Sequence, residues 1–197
     1  MILGYSISVP DNDYYMYDKL NLPACAKYMD VYSINLIDPT FKFKKIKMNI
    51  SETWDGFLIV SDKFKQFCEI EKYGGLEFVL LPASPNFFWL KVYNIIEFDT
   101  EARKTEFIHF SKECNGYGGI YGATPACLKT KSQLGDNLYR SDISFGDYEK
   151  KSPIYLVGEK TKIKLKAAGF KEIYFKEIQD EYEWQKNGKN PNQITIK

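Results

Sequence analysis

The chain carries one histidine, His109, and four cysteines, Cys25, Cys68, Cys114 and Cys127. A histidine beside a thiol can act as the base that makes it a nucleophile. His109 with Cys114 or Cys127 is therefore the catalytic pairing these residue types offer. Such a dyad also needs a third group to orient the base, and nothing around Phe107-Ile108-His109-Phe110 marks one. The plainer reading of His109 is a strand residue facing solvent or a polar neighbour. A structural zinc needs a close pair of soft ligands, such as C-x-x-C, and two more. No two cysteines lie that close, so no metal is expected. The glycines of Gly116-Tyr117-Gly118-Gly119-Ile120-Tyr121-Gly122 lack the Gly-Lys-[Ser/Thr] ending of a phosphate loop and do not follow the dinucleotide pattern. They read as turns or close backbone approach. Without a nucleophile, a placed base or a cofactor fingerprint, neither an enzyme nor a bound cofactor is expected.

Two clusters suit binding. Lys42, Lys44, Lys45 and Lys47 interleave with Phe41 and Phe43, a mix that can face RNA or a protein partner. A solvated strand face whose lysines discourage edge pairing fits equally well. Asp11, Asp13 and Asp18 surround Tyr14, Tyr15 and Tyr17, and Trp54 sits in the turn Ser51-Glu52-Thr53-Trp54-Asp55-Gly56. Tyrosine and tryptophan dominate interface hot spots, so Tyr14, Tyr15, Tyr17 and Trp54 are the candidate protein-binding anchors. The competing reading is a loop that caps a core.

These residues sit in a chain of 197, 44% hydrophobic and 27% charged. Such a chain is expected to fold as a single domain over 1–197, with room for two lobes, about 1–110 and 111–197. An aromatic content of 16% favours strands. The net charge of +1 does not favour a nucleic-acid partner, since phosphate binding needs a basic imbalance. No apolar run approaches the roughly 18 residues of a membrane span, and Met1–Pro10 lacks the features of a signal peptide. The expectation is a cytoplasmic protein, away from membranes, with all four cysteines reduced.

The positioning elements follow from periodicity and punctuation. Ile2–Val9 reads as a strand. Phe41–Ile50 reads as a Lys-faced strand with a bulge at Lys45. Phe57–Val60 is a buried strand. Ser61 caps a helix through Phe64, Phe67 and Cys68, Gly74-Gly75 stops it, and Leu76–Leu81 is a further strand. Phe87–Phe98 and Thr105–Phe110 are expected to form a central antiparallel hairpin across Asp99–Lys104. Cys114–Ala126 reads as irregular backbone, and Leu138–Tyr148 as a turn-rich connection. Ile154–Val157, a helix over Lys160–Ala168 stopped by Gly169, and Ile173–Ile178 repeat the earlier order. Ile194–Ile196 adds a last short strand. Residues 57–81 and 154–178 thus share one pattern, strand, acid, lysine, helix, glycine, strand, with the second helix expected about a turn shorter. The fold class is α+β and sheet-rich, with two short strand–helix–strand units and a central hairpin.

Several segments stand in a familiar order. They are Trp54-Asp55-Gly56-Phe57-Leu58-Ile59-Val60-Ser61-Asp62-Lys63-Phe64, Gly75-Leu76-Glu77-Phe78, Phe88-Trp89-Leu90-Lys91-Val92, Asp99-Thr100-Glu101, Gly122-Ala123-Thr124-Pro125-Ala126 and Tyr139-Arg140-Ser141-Asp142. The second strand–helix–strand follows. This order resembles the bacterial immunity proteins of polymorphic toxin systems, specifically immunity families eleven and forty-three, over roughly residues 54–178. Some of those relatives carry a double C-x-x-C-G motif. Here Cys114-Asn115-Gly116-Tyr117-Gly118 has tyrosine where the second cysteine would fall, so the resemblance implies no zinc site for this chain. It implies a cytoplasmic protein that binds and neutralises a cognate toxin domain. A nucleic-acid-associated protein using the lysine strip, and an enzyme built on Cys114, Cys127 and His109, are the alternatives.

Overall fold

The short apolar runs and frequent turn residues resolve into many strands and few, brief helices. A computed structural model describes residues 1–45 and 47–188. Its strands are β1 (Ile2–Ser8), β2 (Ile50–Glu52), β3 (Leu58–Ser61), β4 (Leu76–Leu80), β5 (Phe87–Val92), β6 (Ile95–Ile96), β7 (Glu106–Ser111), β8 (Gly116–Tyr121), β9 (Leu138–Asp147), β10 (Ser152–Val157) and β11 (Tyr174–Gln179). Its α-helices are α1 (Val31–Ile34), α2 (Asp62–Ile70), α3 (Thr100–Arg103), α4 (Glu159–Ala167) and α5 (Glu183–Lys186). The fold is α+β and sheet-rich. A seven-stranded sheet runs β11-β1-β10-β9-β8-β7, with β6 parallel to β9, and a four-stranded sheet runs β2-β3-β5-β4. No described helix is long and apolar enough to cross a membrane.

Both expected strand–helix–strand units form, as β3-α2-β4 and β10-α4-β11, and they share a topology. In each, the two strands run parallel with one antiparallel strand between them, β5 in the first and β1 in the second. The Ser61 hydroxyl accepts from the Phe64 amide, as an N-cap should. Both helices have nine residues, so the second is not a turn shorter. Gly75 and Gly169 adopt positive φ, +69° and +81°, where a Cβ would strain the backbone.

Three apolar layers hold the sheets together. The two sheets face each other across Tyr5, Ile7, Leu58, Val60, Leu90, Val92, Tyr155 and Val157, with Phe64 of α2 and Leu165 of α4 closing that core. The outer face of the small sheet, Phe57, Ile59, Phe87 and Trp89, is covered by Met16, Tyr17, Val31, Phe41 and Phe43 from the N-terminal segment. The outer face of the large sheet, including Leu3 and Leu156, is covered by Phe98, Leu128 and Leu134. Strands buried on both faces read as continuous apolar runs, which is why β3 and β5 show little alternation.

Other expectations are corrected. The central hairpin over 87–110 does not form. β5 ends at Val92, α3 occupies the supposed turn, and β7 pairs instead with β8. The Asp99 side chain accepts from the Ala102 amide, so the Asp99-Thr100-Glu101 stretch reads locally as a helix start. The glycine-rich stretch is a regular strand, β8, and the supposed connection 138–148 is β9, the longest strand among the described residues. Residues 41–45 are not a strand. Phe41 and Phe43 are buried while Lys42 and Lys44 are exposed, so alternation is kept without a ladder. The boundary proposed near residue 110 falls within the β7–β8 ribbon, and β1 completes a sheet otherwise built from residue 95 onward. Ile194–Ile196 lies outside the described residues.

Candidate functional site

The site begins with a turn that presents one large aromatic to solvent. The Phe57 amide donates to the Thr53 hydroxyl at 2.9 Å, the Thr53 amide to the Phe57 carbonyl at 2.9 Å, and the Gly56 amide to the Thr53 carbonyl at 2.9 Å. Gly56 has φ +89°, and a Cβ there would lie 2.5 Å from the Ser152 Cβ of β10. Thr53, Asp55 and Phe57 are buried around this turn, so Trp54 is left 45% exposed at its tip. The Trp54 amide donates to the Tyr14 carbonyl at 3.0 Å, which fixes the turn against the N-terminal segment.

That segment carries the tyrosines. The Asn12 amide donates to the Glu52 carbonyl and the Glu52 amide to the Pro10 carbonyl, tying residues 10–12 alongside β2. Tyr15 meets Trp54 edge to face, with ring centroids 5.0 Å apart. The Lys150 ammonium lies 5.0 Å from the Tyr15 ring centre and donates to its hydroxyl at 3.2 Å. Lys44 sits 4.3 Å over Tyr14. Tyr17 differs from its neighbours. It is only 7% exposed and packs edge-on against Phe57, which makes it core rather than a surface anchor. Tyr14, Tyr15 and Trp54 thus form one partly exposed patch, with Tyr17 beneath it.

Below the patch, a cleft of about 330 Å³ is walled by Tyr15, Tyr17, Asp18, Asp55, Glu149 and Lys150. Asp55, 1% exposed, accepts from the Tyr17 amide at 2.8 Å through Oδ2. Its Oδ1 and the Tyr17 hydroxyl have no hydrogen-bond partner. Burial pushes the Asp55 carboxyl up from its ordinary range, with the Thr53 hydroxyl and the Met16 and Tyr17 amides partly offsetting it. Burial, helped by the Asp55 charge, pushes the Tyr17 phenol well up.

Of the two thiols in the catalytic alternative, one is taken up in a disulfide and the other is buried. Cys114 is bonded to Cys25, which corrects the expectation of four reduced cysteines. Cys68 and Cys127 are free and buried. Burial pushes the Cys127 thiol up to about 11, so it stays protonated near neutral pH and is a poor nucleophile. His109 is exposed on β7 at φ +56°, a residue unpaired in the ladder opposite Gly118. Phe107 and Phe110 each approach Tyr117, at 5.0 Å between ring centres. Among the described residues, no group of three or more His, Cys, Asp or Glu side chains is arranged to hold a metal. The lysine strip also divides. Lys44 covers Tyr14, and Lys45 pairs with Asp13 and donates to the Asp11 carbonyl.

Asp55, Glu149 and Lys150 were not among the anchors chosen from sequence. Asp55 adjoins Trp54 in a recognisable turn, and that adjacency was the available signal. Glu149 and Lys150 come from a distant part of the chain, and no local pattern points to them. No family model matches the chain, and no curated protein matches it.

Proposed function

We propose that this protein binds and neutralises a cognate bacterial toxin domain, in the manner of the immunity proteins it resembles in sequence. One observation carries the reading: Trp54 is held exposed, edge-on to Tyr15, on a turn whose Thr53, Trp54, Gly56 and Phe57 amides are all hydrogen-bonded. A rigid, half-exposed tryptophan beside tyrosine is the chemistry of an interface hot spot, because it offers large contact area with little side-chain entropy left to lose on binding. The protonated Cys127 thiol and the Cys25–Cys114 bond weigh against the thiol-enzyme alternative. The reading puts the protein in the cytoplasm of the toxin-producing cell. The disulfide, a bond that oxidising compartments favour, is the observation against that placement.

The test is co-expression with the toxin domain encoded in the neighbouring reading frame, in a sensitive host. Growth rescue and co-purification of the two are the expected results. If this protein does neither while another small neighbouring protein does both, the assignment is wrong.

A further inference from the structure

A bare sheet edge invites another strand, so end strands usually carry a guard such as a charge, a break or a covering segment. Three of the four end strands of the two sheets have one. β2 is bridged by Asp11, with the Asn12 amide and the Pro10 carbonyl bonded to Glu52. β7 is broken at His109, whose φ is +56°. β11 exposes Lys176 and Glu177. β4, Leu76-Glu77-Phe78-Val79-Leu80, has neither lysine nor proline, and its one charge, Glu77, is paired with Lys91 of β5. The Gly75 carbonyl accepts from the Tyr93 amide at 2.8 Å, and the Leu81 amide donates to the Phe87 carbonyl at 3.1 Å. These two bonds bracket the β4–β5 ladder, and hydrogen bonding alternates along an antiparallel pair. Glu77 and Val79 therefore turn their amides and carbonyls to β5, while those of Leu76, Phe78 and Leu80 point away from it. No strand or other backbone group among the described residues takes them up. On the same edge, Leu76 and Phe78 are only partly buried at the rim of the core between the sheets, and Leu80 is 47% exposed.

We infer that β4 docks a second copy of this chain, edge to edge and antiparallel, about a two-fold axis through Phe78, so that the two small sheets become one continuous sheet. The strand is self-complementary in that register. Leu76 lies opposite the partner's Leu80, Phe78 opposite the partner's Phe78, and Glu77 opposite the partner's Val79. Every outward amide and carbonyl of Leu76, Phe78 and Leu80 then meets its counterpart, and the apolar side chains meet on one face. The neighbouring registers that keep the same faces together are worse. One sets Glu77 against the partner's Glu77, like charges directly opposite. The other sets Leu76 against the partner's Pro82, which has no amide to give. A two-fold contact of this kind closes on itself and does not propagate into a fibre. The strand order β2-β3-β5-β4 puts the Trp54 turn, which follows β2, at the opposite edge of the small sheet. The paired molecule therefore keeps both Trp54 patches free.

The test needs no toxin. Sedimentation velocity on the full chain, from low-micromolar to submillimolar concentration, should show the mass rising from one chain, 22.9 kDa, towards two. Amide hydrogen exchange on the native chain reads the edge itself. Exchange at Leu76, Phe78 and Leu80 should slow several-fold at the high concentration, while Glu77 and Val79, already bonded to β5, stay unchanged. Leu80→Lys, which gives the edge a lysine guard at an exposed position, should stay monomeric and folded. Tyr174→Lys, the same change at an exposed position on β11 of the other sheet, should pair as the native chain does. A native chain that stays monomeric throughout, pairing retained by Leu80→Lys, or pairing lost in Tyr174→Lys overturns the inference. If the three outward amides become protected only when the neighbouring toxin domain is added, the edge takes a foreign strand, and the inference falls while the immunity reading stands. If the chain pairs through β4 and no toxin binds, the immunity reading falls instead.

Discussion

Cys25 and Cys114, 89 residues apart in sequence, are joined by a disulfide with their Cα atoms 5.5 Å apart. The bond ties the short 3₁₀ turn Ala26–Tyr28 to the turn between β7 and β8. The two backbones also approach closely there, since a Cβ on Gly116 would lie 2.8 Å from the Tyr28 carbonyl oxygen. A crosslink closing so long a loop removes much of the unfolded chain's freedom. Reduction, or Cys114→Ser, should therefore lower stability by about 2–4 kcal/mol. Denaturant midpoints with and without reductant give the answer, and coincident curves would show that the bond does not constrain the unfolded chain.

Glu52 gives the fold a pH dependence. Its Oε1 accepts from the Ser152 hydroxyl at 2.9 Å, linking β2 of the small sheet to β10 of the large one. Burial pushes its carboxyl from 4.5 up to about 7, with the Asp11 charge adding to the rise and the Ser152 hydrogen bond opposing it. A folded-state pKa above the unfolded value means that the folded protein holds the proton more tightly. The stabilisation is full below about pH 4.5 and is lost as pH rises to about 7, by up to about 3 kcal/mol. Glu52→Gln removes this titration. Its stability relative to the native chain should therefore rise across that window and level off above it. Parallel stability–pH curves for the two proteins would contradict this.

Two glycines separate backbone crowding from open space. A Cβ on Gly158, the residue before α4, would collide with the carbonyl oxygens of Leu134 and Gly135, and backbone cannot swing aside as a side chain can. Gly158→Ala should destabilise by roughly 1–3 kcal/mol. Gly74, after α2, has nothing within 4 Å of the same position. Gly74→Ala should be neutral, or stabilising by up to about 1 kcal/mol through the unfolded state. Thermal unfolding of the two variants side by side checks the contrast, and equal losses would place the crowding elsewhere.

What the sequence shows of this fold depends on how local its causes are. Ser61, Gly75 and Gly169 act on their own neighbours, so both strand–helix–strand units could be read directly. The partner of a strand is not local. β7 was assigned to the preceding strand by proximity, but it pairs with β8, whose glycines suggested loop. β9 looked like a connection because Arg140, Asp142 and Asp147 interrupt its apolar positions, although Leu138 and Phe145 are buried along it. The same limit applied at the candidate site. Tyr15 and Trp54 were chosen by residue type and do meet, while Tyr17 was chosen on the same grounds and is core. Pairing Cys25 with Cys114 required knowing that the β7–β8 turn returns to the N-terminal segment.

The most direct measurement is the affinity of the purified protein for the neighbouring toxin domain, with Trp54→Ala and a core-neutral surface control, Ile163→Ala, measured alongside. Ile163 is exposed on α4, away from the Trp54 turn. Since Trp54 is exposed, its truncation should leave thermal stability nearly unchanged. The native chain should bind at nanomolar dissociation constant or tighter, about −12 kcal/mol. Trp54→Ala should lose about 2 kcal/mol or more, roughly thirtyfold in affinity, with Ile163→Ala unchanged. No binding by the native chain, or equal binding by native and Trp54→Ala protein, would contradict a toxin-neutralising role centred on Trp54.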